Sequence, residues 1–199
     1  MPRPDHPAVT AARQFVFGYG SLAAEVHDGD VATLRGHRRA WGVAMDNRRD
    51  LPGYKSYRLR ADASRPALYV AFLDIERHDD AVVTGVCTAV GDRELDLLDR
   101  RERNYERVDV TDWVSGGRER VWAYRGSDAG RARLREGLAA GRAAVSRDYL
   151  EAVLSAIAAF APHEARGVER APEQAGLVVL DLERIDIPLP SGRRTPRRS

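Results

Sequence analysis

One carboxylate in this sequence is conspicuous for its neighbours. In LLDRRERNYERV, residues 97–108, Glu102 closes a stretch whose spacing predicts a helix over 92–102, opening at Asp92 with Leu95 and Leu98 on one side. Position 102 falls two helical turns after Leu95 and one after Leu98. A helix continued that far turns Glu102 inward, while Arg100, Arg101 and Arg103 face water. A carboxylate on an apolar face is costly to bury as an anion and holds its proton more tightly than usual. That suits a group which takes up a proton and returns it within one reaction. The plainer alternative ends the helix near residue 100 and leaves Glu102 as a solvated loop residue.

A second stretch, FVFGYGSL, runs from three apolar residues, Phe15, Val16 and Phe17, straight into Gly18-Tyr19-Gly20-Ser21. It reads as a buried strand emptying into a glycine-hinged loop, which is either a turn or a place where backbone approaches a ligand. Tyr105 opens a strand and Tyr149 opens the apolar face of a helix; on spacing alone both are core aromatics with a polar tip. Ser21 lacks the Gly-x-Ser-x-Gly elbow of a hydrolase nucleophile. The five histidines, at 6, 27, 37, 78 and 163, show no metal-ligand spacing. Cys87 sits within an apolar run as a small core residue. Gly18-Tyr19-Gly20 completes no dinucleotide fingerprint. Neither a metal nor a nucleotide cofactor is expected.

These residues need elements to hold them. Apolar, strand-like runs recur at 14–17, about 40–45, 67–73, 82–90, 105–114, 119–124 and 177–187. Helical patterns cover 92–102, 128–139 and 146–160, the last opening at Ser146 with Tyr149, Val153, Ile157 and Phe160 on one face. Residues 46–57 and 115–118 read as loop and turn. The sum is an α+β chain, a small mixed β-barrel, closed or nearly so, with two or three flanking helices. A Pro-rich flexible stretch, 1–13, is expected before a single domain at 14–190, and a basic flexible tail, 191–199, after it.

Composition narrows the function classes. The chain of 199 residues is 43% hydrophobic and 31% charged, ordinary for a soluble domain. Net charge is only +2, four arginines sit in the last eight residues, and the other arginines are spread among acids, so no basic stripe for nucleic acid is expected. Arginine outnumbers lysine 31 to 1, read here as a compositional habit. No apolar run is long enough for a membrane span, the N-terminus carries no secretory pattern and the lone cysteine forms no internal disulfide, so a cytoplasmic monomer or homodimer is expected.

In order along the chain, these segments resemble the gamma-glutamylcyclotransferase-like superfamily. The resemblance rests on a strand running into Tyr19-Gly20-Ser21-Leu22, on Leu98, Asp99 and Glu102 followed by Tyr105 and a strand, and more weakly on the Ser-x-x-Tyr start of a late helix, ending at Tyr149. It implies a barrel with a cavity at one end and cyclisation of a gamma-glutamyl group to 5-oxoproline, releasing an amine or amino acid. Glu102 would be the general base and acid. Gly18 and Gly20 would let backbone N–H groups around Tyr19 to Leu22 meet the ligand, and Tyr105 and Tyr149 would line the cavity. Residues 165–199 lie outside the resemblance and would complete the barrel or cover the cavity. A non-catalytic binding protein using the same cavity, or a biosynthetic cyclotransferase acting on a larger metabolite, stays open at this point.

Overall fold

The computed structural model describes residues 13–24 and 29–189; most of the expected N-terminal stretch, 1–13, and the whole of the expected basic tail, 191–199, lie outside them. The chain runs β1 (Gln14–Gly18), α1 (Ser21–Ala24), β2 (Asp30–Asp46), β3 (Lys55–Leu59), β4 (Tyr69–Val90), α2 (Asp92–Arg101), β5 (Tyr105–Asp109) and β6 (Arg120–Gly126). It continues through α3 (Asp128–Ala139), β7 (Ala143–Ser146), α4 (Arg147–Phe160), α5 (Pro162–Gln174), β8 (Val178–Leu180) and β9 (Leu182–Asp186). This is a mixed α/β fold in which seven strands form one mixed sheet, and β3 and β9 form a second, two-stranded one.

β4 is the spine of the large sheet. One edge carries β2 antiparallel along nearly its whole length; the other carries β7, parallel, at Tyr69–Val70 and then β1, antiparallel, at Val86–Val90. The strand-like runs at 67–73 and 82–90 are therefore one strand, and the polar residues 76–80 between them do not break it. Backbone pairing continues through Glu76 and Arg77, which face Arg38 and His37 of β2, because a ladder needs no apolar side chains where it runs out into solvent. Register shifts at Arg35/His37, where Gly36 has φ +68°, and at Trp41/Val43 bend the β2–β4 pair. Beyond β1 the sheet continues through β6 to β5. The turn after β5 then reaches back to β2: Leu34 bridges Val114, the Ser115 N–H donates to the Thr33 carbonyl at 2.9 Å, and the Thr33 N–H donates to Ser115 Oγ at 2.9 Å. The two flanks of the sheet meet there, so the barrel is all but closed.

The core fills this curl, with Phe17, Leu34, Ile75, Val83, Val121, Val145, Val153 and Ile157 among its buried members. α4 joins it through Leu150, Val153 and Ile157 and contacts both α1 and α5. Two helices exceed the expected number: the four-residue α1 and α5, where among mostly charged residues only Val168 and Pro172 are buried. The run at 177–187 divides at Asp181: β8 extends the large sheet beside β7, while β9 pairs with β3, inside the stretch expected to be loop. α2 begins at Asp92, the residue expected to cap it, and the cap position falls one residue earlier at Gly91, whose N–H donates to Glu94 Oε2 at 2.7 Å. Ser146 precedes α4 as expected, but its hydroxyl donates to the Leu182 carbonyl at 3.2 Å instead of capping the helix.

One ion pair ties the barrel to its helices. Arg39 of β2 and Glu164 of α5 form a salt bridge with side chains only 6% and 20% exposed. Glu164 also accepts the Thr84 N–H at 3.1 Å, while Arg39 donates to the carbonyls of Thr84 and, at 2.8 Å, Tyr19. Glu164→Ala strands a buried guanidinium and should lower unfolding free energy by about 3 kcal/mol. At the β1–β4 crossing, a methyl group on Gly85 would lie 2.5 Å from the Gly18 carbonyl oxygen and 2.5 Å from Phe17 Cζ. Gly85→Ala should cost about 1–3 kcal/mol by overpacking. Urea denaturation of both variants checks the two values, and the larger loss belongs to Glu164→Ala.

Candidate active site

Glu102 is the first residue past α2. Its N–H closes the helix on the Leu98 carbonyl at 2.8 Å, and its own carbonyl accepts the Tyr105 N–H at 2.9 Å. The helix thus stops near where the plainer alternative placed its end, yet the Glu102 side chain is only 14% exposed. A tight turn, rather than a further helical turn, swings it inward, and Arg101 Nε lies 3.1 Å from Glu102 Oε1. The same turn fixes the spacing of Glu102 and Tyr105, so the two enter the site together.

Two connected hollows meet at Glu102. The outer one is a cavity of about 490 Å³, walled by the end of α2, the start of α4 and the β3–β9 sheet. The inner one is a pocket of about 20 Å³, lined by Tyr19, Gly20, Ser21 and Leu22 together with Leu73 and Tyr124. Ser21, Glu102, Tyr105 and Tyr149 line both. All seven residues singled out in the sequence therefore stand around one site, and Glu102 marks the joint between its two parts.

The tyrosines are placed by a defect in the sheet. Between the stretch of β4 that pairs with β7 and the stretch that pairs with β1, the strand has no neighbour on that edge. The Leu73 peptide faces the gap, and side chains take the place of a strand: Tyr105 Oη donates to the Leu73 carbonyl at 2.6 Å, and Tyr149 Oη accepts the Leu73 N–H at 3.4 Å. Tyr149 stands edge-on to Phe72 and Trp41, with ring centroids 5.1 and 6.0 Å away. Burial pushes the phenols of Tyr105 and Tyr149 up, so both stay neutral, and the Tyr149 phenol shares a hydrogen bond with Ser21.

The loop after β1 is held from behind. Tyr19 is buried, its Oη donates to the Tyr124 carbonyl at 2.5 Å, and Arg39 grips its own carbonyl. Tyr124 Oη in turn donates to Asp99 Oδ1 at 2.7 Å, which links the loop to α2. Gly18 is required for a plain steric reason, since a Cβ there would lie 2.8 Å from the Ala23 nitrogen. A Cβ on Gly20 would make only ordinary contacts, at 3.6 Å from Leu73 and 3.9 Å from Tyr149 Oη. The turn Ser21–Ala24 begins at the inner pocket, where the first N–H groups of a helical turn have no partner within it.

The outer cavity also contains residues to which sequence spacing does not point. Tyr54 accepts a hydrogen bond from Asn104 Nδ2 at 3.0 Å, and Asn104 Oδ1 accepts from Arg133 Nη2 at 2.8 Å. Burial pushes the Tyr54 phenol up to about 12, with the Glu102 charge acting in the same direction. Lys55 lies alongside, its ammonium 4.2 Å from the centre of the Phe72 ring. Its signal in the sequence was its rarity, as the single lysine of an arginine-rich chain. Among the described residues no group of three or more His, Cys, Asp and Glu side chains is placed to hold a metal ion. No helix of those residues is long and apolar enough to cross a membrane.

Comparison with known proteins agrees with this architecture. The model of the family described as gamma-glutamyl cyclotransferase, AIG2-like, matches residues 16–141. Among solved structures, one titled gamma-glutamyl cyclotransferase superposes with a TM-score of 0.54 at 14% identity, over 80% of this chain and 88% of that one. YkqA from Bacillus subtilis gives 0.54 at 15% identity, over 79% of this chain and 53% of its own. The gamma-glutamyl cyclotransferase specific to glutathione from yeast gives 0.51 at 14% identity, over 82% of this chain and 97% of its own. At such identities the structures share the fold. No curated protein matches the chain. From the family match across most of its length, the chain belongs to the gamma-glutamyl cyclotransferase, AIG2-like family.

Proposed function

We propose that this protein is a cytoplasmic gamma-glutamyl cyclotransferase, converting a gamma-glutamyl compound into 5-oxoproline and a free amine, with Glu102 as general base and then acid. The observation that carries this reading is the place of Glu102, a mostly buried carboxylate at the joint of a small inner pocket and a larger outer cavity. The glutamyl end, too large for a pocket of about 20 Å³, lies at its mouth against Ser21 and turns its carbonyl oxygen inward, while the departing group extends into the outer cavity. Glu102 takes a proton from the substrate ammonium, and the freed amine attacks the gamma-carbonyl carbon of the same molecule. A new C–N bond closes the five-membered ring. The old C–N bond then breaks as Glu102 returns the proton to the departing nitrogen, and the second proton of the ring nitrogen is passed on to the released amine, which leaves as its ammonium. Nucleophile and electrophile belong to one substrate, so much of the acceleration comes from holding it folded.

The negative charge on the carbonyl oxygen needs donors. Tyr149 Oη accepts the Leu73 N–H, so its own proton can turn to the substrate, and the N–H groups at Ser21 and Leu22 border the same pocket. Tyr105 spends its proton on the Leu73 carbonyl and serves as a wall that keeps water from Glu102.

Mass-spectrometric detection of 5-oxoproline from a panel of gamma-glutamyl amino acids, gamma-glutamylamines and glutathione tests the reaction. Glu102→Gln should lower turnover by about 10²- to 10⁴-fold with little change in melting temperature. A folded Glu102→Gln that still turns over at the wild-type rate would end the proposal. Tyr149→Phe removes one oxyanion donor and should lower kcat by about 10²-fold, with a smaller change in KM, read from initial rates.

A further inference from the structure

Among the charged groups of the outer cavity that the reaction above does not use, Lys55 stands apart. Lys55, on β3, is half-buried in its wall, with its ammonium against two aromatic faces: 4.2 Å from the centre of the Phe72 ring and 5.5 Å from that of Tyr54. The carboxylates around the cavity are already engaged. Asp186, opposite Lys55 in the β3–β9 register, binds Arg184 at 2.8 Å; Asp148 binds Arg60; Glu102 has Arg101 at 3.1 Å. Burial pushes the Lys55 ammonium down to about 8, Arg184 and Arg101 act in the same direction, and Glu102 and Asp186 oppose them. A cation stacked on rings, within a partly apolar cavity whose acids have other partners, is a receptor for an incoming anion.

Position decides which anion. Lys55 lines the outer cavity and not the inner pocket, whereas Glu102, Ser21, Tyr105 and Tyr149 line both. With the glutamyl end at the mouth of the inner pocket, against Ser21 and Tyr149, the departing amine extends outward past Lys55. Resting on the gamma-glutamyl reading, we propose that Lys55 binds a carboxylate carried by the departing amine, so that the site selects gamma-glutamyl amino acids over gamma-glutamylamines. A compact ammonium suits this task better than a planar guanidinium, because it can meet a single carboxylate while resting on two ring faces. Apolar side chains of the departing amino acid find Phe72, Ala152, Leu182 and Ile187 in the same wall.

Matched pairs of substrates isolate the carboxylate. Gamma-glutamylalanine and gamma-glutamylethylamine differ by that group alone, as do gamma-glutamylleucine and gamma-glutamylisoamylamine. In the wild type, kcat/KM should favour the acid of each pair by roughly 10- to 100-fold, and Lys55→Met should collapse that ratio toward one. The preference should fade as pH rises through about 8, where Lys55 loses its charge. A ratio unchanged by Lys55→Met overturns the proposal.

A second measurement does not depend on turnover. Because the chain has one lysine, protein labelled with ¹³C at lysine Cε gives a single side-chain resonance for Lys55. In Glu102→Gln, gamma-glutamylalanine should move this resonance and raise its titration midpoint, while gamma-glutamylethylamine should not. A response to both places the glutamyl carboxylate at Lys55 and overturns the assignment, as does a response to neither. A response to the acid alone in a protein that makes no 5-oxoproline would keep the anion site and remove the cyclotransferase reading.

Discussion

The site depends on a missing strand. On the edge away from β2, β4 has no partner strand between Val70, where β7 ends, and Val86, where β1 begins, and Leu73 lies in that gap. Leaving a buried peptide N–H or carbonyl without a partner costs about 1–3 kcal/mol, so the Leu73 peptide must be satisfied by something other than backbone. Tyr105 from β5 and Tyr149 from α4 supply that partner, and in doing so they bring two distant elements to one point on the sheet. The cavity is the space that a regular neighbouring strand would have filled. Its walls are rigid for the same reason that they exist, since each tyrosine completes the hydrogen bonding of the spine strand.

Around this gap, charge is arranged in layers. Close to Glu102 stand neutral phenols, those of Tyr105 and Tyr149, with Tyr54 further out, all kept from ionising by burial. Behind the inner loop, the Arg39–Glu164 pair acts on backbone carbonyls and not on the pocket itself. At the outer cavity, arginines are matched to acids one by one. A proton shuttle works best where surrounding groups stay uncharged as it titrates, because their fixed dipoles then need no rearrangement.

What the sequence showed and what it hid follow the same division between local and distant causes. The strand ending in Gly18, the α2 face of Leu95 and Leu98 and the inward Glu102 were legible because each is set within a few residues. Spacing alone leaves open whether the helix runs on through Glu102 or ends near residue 100, since side-chain periodicity cannot tell the last helical turn from a cap that points the same way. α5 went unseen because its contact with the core is narrow, Val168 and Pro172, and its main attachment is the charged Glu164. β3 looked like loop because its partner, β9, is far along the chain and its sequence, KSYRL, has no apolar run. Lys55 was visible as a number and invisible as a position until β3 was placed.

The segment after α5 has a mechanical meaning. One run of chain, interrupted only at Asp181, closes an edge of the large sheet as β8 and roofs the outer cavity as β9. Ser146, at the end of β7, holds the first residue of β9 by its carbonyl, so the seam is stitched from below as well. The roof therefore cannot lift as an independent flap: opening it pulls on the sheet edge, and fraying of that edge loosens the roof. Whatever fills the cavity is felt at the rim of the barrel as added tightness, and the amides of Val178 to Leu180 become a remote gauge of occupancy, exchanging with solvent more slowly when the chamber is full.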